Sequence, residues 1–153
     1  MTTTQITSAE ARREEIRAYA DSIGVDETYI SLLVDSFYDK VRAHPALGPV
    51  FDDAIKDNWP AHLAKMKSFW ASVALNAGSY SGKPVPAHKK HASIRSSHFA
   101  VWLGLFRQTL DETAPTPAAV QYFMERAERI AQSLQLAIFG APEVNAAIAR
   151  AKP

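Results

Sequence analysis

The chain has 153 residues, enough for one domain with a sizeable core, and its 47% hydrophobic and 22% charged residues are those of an ordinary globular protein. Lysine plus arginine number 17 against 16 aspartate plus glutamate, so no net field recruits nucleic acid or an anionic membrane. No cysteine is present, which excludes disulfides, thiolate zinc sites, iron–sulfur clusters and a cysteine nucleophile. The first residues show neither the basic start nor the apolar run of a signal peptide, and no apolar stretch approaches spanning length. The expectation is a cytoplasmic protein without membrane or nucleic-acid partners.

Helical patterns follow one another along the chain. Thr7-Ser8-Ala9-Glu10 is a capping-box pattern opening a polar helix toward Ile23, which Gly24 stops. Asp26 can cap the next helix, whose apolar residues Ile30, Leu33, Val34, Phe37, Tyr38 and Val41 recur at steps of three and four. Pro45, Gly48 and Pro49 break that pattern and leave a short turn carrying Val50, Phe51 and Ile55. Asn58 can cap a third helix with Pro60 in its first turn and a stripe of Trp59, His62, Leu63, Met66, Phe69, Trp70 and Val73.

A fourth helix is expected from Ser96 or Ser97, with Phe99, Trp102, Leu103, Phe106 and Leu110 on one side. Thr116-Pro117 opens a fifth, carrying Val120, Phe123, Met124, Ala127, Ile130, Leu134 and Ile138 until Gly140 and Pro142 end it. No repeat or linker interrupts the chain, so residues 1–153 read as one all-α domain, with 1–25 as an N-terminal helix and 143–153 as an alanine-rich tail, either a last helical turn or frayed.

Residues 76 to about 95 break the rhythm. They hold Asn76, Gly78, Gly82, Pro84 and Pro86 without a helical stripe, and so long a connection in a small domain tends to be functional or disordered. Three of the five histidines, His88, His91 and His98, fall in it or just beyond. They lack a carboxylate or thiolate at metal spacing, and the serines of Gly78-Ser79-Tyr80-Ser81-Gly82 lack the strand-to-helix setting of a nucleophile elbow. Polar groups also punctuate apolar stripes: Tyr38 on the second helix, His62 on the third, Trp102 on the fourth. Each alone has an ordinary explanation as a core residue with a satisfied polar tip, and periodicity does not say whether the three converge.

At these residues the chain resembles the truncated haemoglobins, and within them group III, over roughly residues 30 to 138. Four blocks carry the likeness: Phe37-Tyr38-Asp39-Lys40-Val41, Leu47-Gly48-Pro49-Val50-Phe51, the run from Trp59 through His62, Lys65 and Met66 to Trp70, and the run from Tyr80 through Gly82, Pro84 and His88 to Trp102 and Phe106. The resemblance implies a globin-like two-over-two helical sandwich, here with an extra N-terminal helix, around a non-covalent haem b. The absence of cysteine already rules out covalent c-type attachment.

Residue by residue, His88 matches the proximal iron ligand, with His91 as a rival one helical turn on. Tyr38, His62 and Trp102 match the polar triad directed at a diatomic ligand. Phe51 matches the phenylalanine against the haem face, Met66 lies one turn beyond His62, and Lys65 fits a propionate partner, with Lys89, Lys90 and Arg95 as positional candidates. His98 can line the proximal side or face solvent, and His44 is expected at the surface. Two departures stand out: Met66 replaces a branched aliphatic residue, and the N-terminal helix is longer than the core fold needs. The function implied is reversible binding of oxygen, nitric oxide or carbon monoxide. An alternative is enzymatic, either nitric oxide dioxygenation with a separate reductase or a peroxidase-like reaction. A helical interaction module without haem is a third reading of the residues alone.

Overall fold

The computed structural model describes residues 8–75 and 94–151, with side chains as far as Phe139. Among the described residues there are six helices and no strand: α1 (Ser8–Ser22), α2 (Glu27–Ala43), α3 (Leu47–Ile55), α4 (Trp59–Leu75), α5 (Ser96–Thr113) and α6 (Pro117–Ala151). Helix starts follow the local chemistry read from the sequence. The Tyr29 N–H donates to Asp26 Oδ1 at 2.8 Å, and the Ala119 N–H donates to Thr116 Oγ1 at 3.1 Å. Thr116 also donates its hydroxyl to the Ile23 carbonyl at 2.8 Å, tying the end of α1 to the start of α6. Gly24 ends α1 at φ +85°, a conformation that glycine adopts without a Cβ penalty, and an added Cβ would sit 2.9 Å from Pro115. Thr7, the first residue of the expected capping box, lies outside the described residues.

Two expectations are corrected. The short turn around Val50 and Phe51 is the nine-residue helix α3. Gly48 and Pro49 fall in its first turn, where backbone N–H groups have no intrahelical partner and proline does little harm. The start of α3 is held by His44, which is half-buried: its Nδ1 accepts from Ala46 N–H at 3.0 Å and Leu47 N–H at 3.4 Å, and its carbonyl accepts from Gly48 N–H at 2.8 Å. The second correction is at the C-terminus, where α6 runs past Gly140 and Pro142 to Ala151. The alanines at 141, 146, 147, 149 and 151 have the highest helix propensity of any residue and favour continuation.

The helices pair as α2 with α4 and α5 with α6, and α2 lies against α5 to join the pairs. Phe37 of α2, Trp70 of α4, Phe106 of α5 and Phe123 of α6 are all buried in the central cluster. The N-terminal helix α1 packs on α4 and closes its end. There Arg17 Nε donates to the Leu75 carbonyl at 3.0 Å and the Tyr122 hydroxyl donates to the Ala74 carbonyl at 2.7 Å, satisfying two carbonyls that a helix end leaves open. No helix among the described residues is long and apolar enough to cross a membrane.

Two glycines on neighbouring elements should respond oppositely to alanine. A Cβ at Gly48 would lie 2.6 Å from the Arg42 carbonyl oxygen, which is backbone and cannot swing away. Gly48→Ala is expected to lower unfolding stability by about 1–3 kcal/mol, the range for overpacking. Gly104, exposed inside α5, has open space at its Cβ position, and Gly104→Ala is expected to raise stability by about 0.4–1 kcal/mol. Urea unfolding midpoints of the two variants check both signs.

Candidate functional site

Between the helix pairs the core leaves a cavity of about 300 Å³. Such a volume is at the lower bound of small-molecule sites, which are mostly apolar with a few placed polar groups. Each helix from α2 to α6 contributes to the walls. Tyr38 comes from α2, Phe51 and Ile55 from α3, His62, Met66 and Trp70 from α4, Phe99 and Trp102 from α5, and Ile130 and Leu134 from α6.

The polar side chains converge, as periodicity alone could not say. Tyr38 and His62 meet edge to face with ring centroids 5.3 Å apart and planes at 90°. Trp102 reaches the same cavity behind Phe37, whose ring is 5.0 Å from Tyr38 and 5.4 Å from Trp102. Tyr38 is buried, and burial alone pushes its phenol well above the ordinary tyrosine value of 10.0. It therefore stays protonated at physiological pH and offers an O–H donor. His62 Nε2 is also shielded from solvent.

A tryptophan of the expected α4 stripe, which also opens one of the blocks of family likeness, holds this group in place. Trp59 is buried with its ring 6.0 Å from Tyr38 and 5.6 Å from His62. Its indole N–H donates to Asp52 Oδ1 at 3.1 Å, and the Arg42 guanidinium lies 4.4 Å over its ring. One aromatic ring thus fixes α3 to α4 and backs both polar side chains. The sequence places Trp59 on an apolar face but gives no sign of its two polar contacts, which depend on how α2 and α3 lie against α4.

A second group of lining residues differs in character. Ile94, Phe99, Ile130, Ala131 and Leu134 make it apolar, with His98 as its polar member. Of the two options open for His98, the structure realises the cavity wall. Its Nδ1 accepts from the Arg95 N–H at 2.9 Å, so a neutral imidazole carries its proton on Nε2. Lys65 lies on the exposed side of α4, outside the cavity lining, and Arg95 is exposed. His88, His91, Lys89 and Lys90 lie outside the described residues, and so does most of the connection between α4 and α5. Ile94, which follows that connection, lines the cavity. Among the described residues no group of three or more histidines, cysteines, aspartates or glutamates could hold a metal.

The same architecture recurs in solved structures. The group III truncated haemoglobin of Campylobacter jejuni superposes with a TM-score of 0.70 at 31% identity, over 76% of this chain and 95% of that one. The group II truncated haemoglobin of Bacillus anthracis gives a TM-score of 0.59 at 26% identity, over 75% and 88%. In sequence, the group 3 truncated haemoglobin of C. jejuni is 32% identical over 114 residues, 72% of this chain and 89% of that protein. No protein-family model matches the chain. The chain belongs to the group III truncated haemoglobins.

As a truncated haemoglobin it is a haem protein, and the cavity fits that group. The macrocycle is a large apolar disc, and the walls are aromatic and aliphatic. Polar side chains from α2, α4 and α5 reach the same lining, and Tyr38 is buried deeply enough there for its phenol to be perturbed.

The buried phenol sets a pH dependence. Because its folded pKa lies above the unfolded value of 10.0, the folded state keeps a proton that the unfolded state loses. Its contribution to stability is complete below about pH 10 and declines as pH rises toward the folded value. Urea unfolding of the chain is therefore expected to weaken with pH above 10, and Tyr38→Phe should show a shallower decline over the same interval. Equal declines would show that Tyr38 titrates normally.

Proposed function

We propose that this truncated haemoglobin binds oxygen, and also nitric oxide and carbon monoxide, at a non-covalent haem b in the cavity, with His88 as the protein ligand to the iron. When bound, ferrous haem supplies an open coordination position for a diatomic molecule. The observation that carries the reading is that Tyr38, His62 and Trp102 all line one mainly apolar cavity, with Tyr38 and His62 in edge-to-face contact.

The residues divide the work by chemistry. Phe51 and Met66 supply apolar surface for the macrocycle. Tyr38 gives an O–H donor, Trp102 an N–H donor, and His62 either role according to its tautomer. A diatomic ligand that draws electron density from the iron, as oxygen does, gains from donors fixed in a dry pocket; carbon monoxide gains less. Trp59 keeps the rings of Tyr38 and His62 aligned through its bond to Asp52. Phe99, Ile130 and Leu134 exclude water from the other side.

His88 precedes Ile94 by six residues in sequence. An extended span of that length reaches about 20 Å, so the cavity is within range of the imidazole. Its second ring nitrogen would donate to a backbone carbonyl and fix the tautomer. Lys65 is the proposed propionate partner at the rim. We place the protein in the cytoplasm, where a separate reductase would keep the iron ferrous.

Two sets of variants test this reading. His88→Gly is expected to abolish the ferrous five-coordinate spectrum while His91→Ala retains it, and the reverse result would move the ligand to His91. Tyr38→Phe and Trp102→Phe are expected to speed oxygen dissociation, by about 10-fold for a donor contributing about 1.4 kcal/mol, and to change carbon monoxide dissociation far less. Equal changes in both rates, measured by stopped flow, would mean that the two residues act sterically.

A further inference from the structure

Trp102 begins a continuous series of aromatic rings that leaves the cavity and ends at the surface. Its indole stacks on Phe106 at 5.5 Å with planes 2° apart, and Phe106 stacks on Trp70 at 5.0 Å and 18°. Trp70 meets Phe123 at 5.9 Å, Phe123 meets Tyr122 at 5.9 Å, and Tyr122 meets Tyr19 of α1 at 5.5 Å. Every intermediate ring is buried, whereas Tyr19 is 50% exposed. The oxidisable members, Trp102, Trp70, Tyr122 and Tyr19, are separated by no more than one phenylalanine at each step.

We propose that this series carries oxidising equivalents from the haem cavity to Tyr19, making the outer face of α1 a site where aromatic one-electron donors of the phenol class are oxidised by a hydroperoxide reduced in the cavity. The proposal rests on the reading that haem occupies the cavity, and not on which diatomic ligand it carries.

Chemistry at the two ends gives the series a direction. A tyrosine that loses an electron becomes strongly acidic and must lose its proton as well. The Tyr122 hydroxyl donates to the Ala74 carbonyl, which cannot take the proton away, and the Arg126 guanidinium lies 3.5 Å over its ring, which disfavours further positive charge there. Burial also pushes the Tyr122 phenol above its ordinary value. Tyr19 stands in solvent and can release its proton to water. Tyr122 is therefore a point of passage and Tyr19 the resting place.

The stoichiometry closes. Cleaving the O–O bond of one hydroperoxide consumes two electrons and two protons and gives one alcohol and one water. Two successive one-electron transfers along the ring series supply the electrons, and each leaves Tyr19 as a neutral radical with its proton in solvent. Two phenol molecules each return one hydrogen atom to Tyr19 and leave as phenoxyl radicals. With hydrogen peroxide the alcohol is a second water.

The test uses the full chain loaded with haem, loading being verified beforehand by its Soret absorption. The ferric protein receives one equivalent of hydrogen peroxide with a nitroso spin trap, and tryptic peptides are mapped by mass spectrometry. The expected result is a trap adduct on Tyr19, lost in Tyr19→Phe with an unchanged Soret band. Tyr122→Phe, which preserves the ring but removes an oxidisable step, is expected to lose the Tyr19 adduct too. Adducts confined to Tyr38 or Tyr80, or a Tyr19 adduct that persists in Tyr122→Phe, would overturn the route. A chain with no Soret band after haem addition would overturn the cavity reading itself, an outcome distinct from misplaced adducts.

Discussion

The packing of Phe106 is the constraint on which the other features depend. Its ring lies 5.1 Å from Phe37 of α2 and 5.0 Å from Trp70 of α4, and 6.5 Å from Phe123 of α6. Trp102, one turn earlier on α5, stacks against it. Four helices thus meet on one side chain that is 1% exposed. Edge-to-face and offset contacts are the arrangements that ring quadrupoles favour, each adding about 0.5–1.5 kcal/mol beyond buried area. Rigid rings of this size cannot collapse into the neighbouring space, so the cavity stays open on the side where Trp102 and Tyr38 look out. The core and the site are built from the same contacts.

From that arrangement follows a division of the cavity. Tyr38 of α2 and His62 of α4 bring a hydroxyl and an imidazole to the lining, whereas the residues from α6 and the start of α5 are mainly aliphatic and aromatic, with His98 among them. Such asymmetry suits a haem pocket, because the proximal face needs one imidazole and a dry surround while the distal face must sort ligands by polarity. Trp59 extends the division outward. Its indole joins a carboxylate of α3 to the rings of α2 and α4, so the orientation of the donors depends on a half-buried hydrogen bond to Asp52. The helix α1 is equally integral: its Arg17 closes the end of α4 and its Tyr19 covers Tyr122.

Much of this was legible in the sequence, for reasons that can be named. The stripes of α2, α4, α5 and α6 repeat every three to four residues, and their residues are buried in the core, packed against it or part of the cavity lining, and the caps at Asp26 and Thr116 are local chemistry. α3 was missed because Gly48 and Pro49 signal a break anywhere except in a first turn, and because its cap comes from His44, two residues before its N-terminal boundary residue Ala46. The continuation of α6 is hidden by Gly140 and Pro142, which signal a break that the surrounding alanines outweigh. For the site, the residue types were visible but their convergence was not. Tyr38, His62 and Trp102 sit on three different helices, and only the resemblance to a known family joined them. The polar contacts of Trp59 and the order of the ring series carried no signal, since an aromatic residue on an apolar face looks the same whatever it touches.

On the proposed function, the polar side chains of the cavity act on a ligand by their electric field. The most direct measurement is the infrared spectrum of the carbon monoxide complex of the ferrous, haem-loaded chain. Donors near the ligand oxygen strengthen back-donation and lower the C–O stretching frequency. Replacing the Tyr38 hydroxyl by hydrogen is expected to move that band upward, toward the value of an apolar pocket. A band already at the apolar position in the unmodified chain, and unmoved by Tyr38→Phe, would contradict the account.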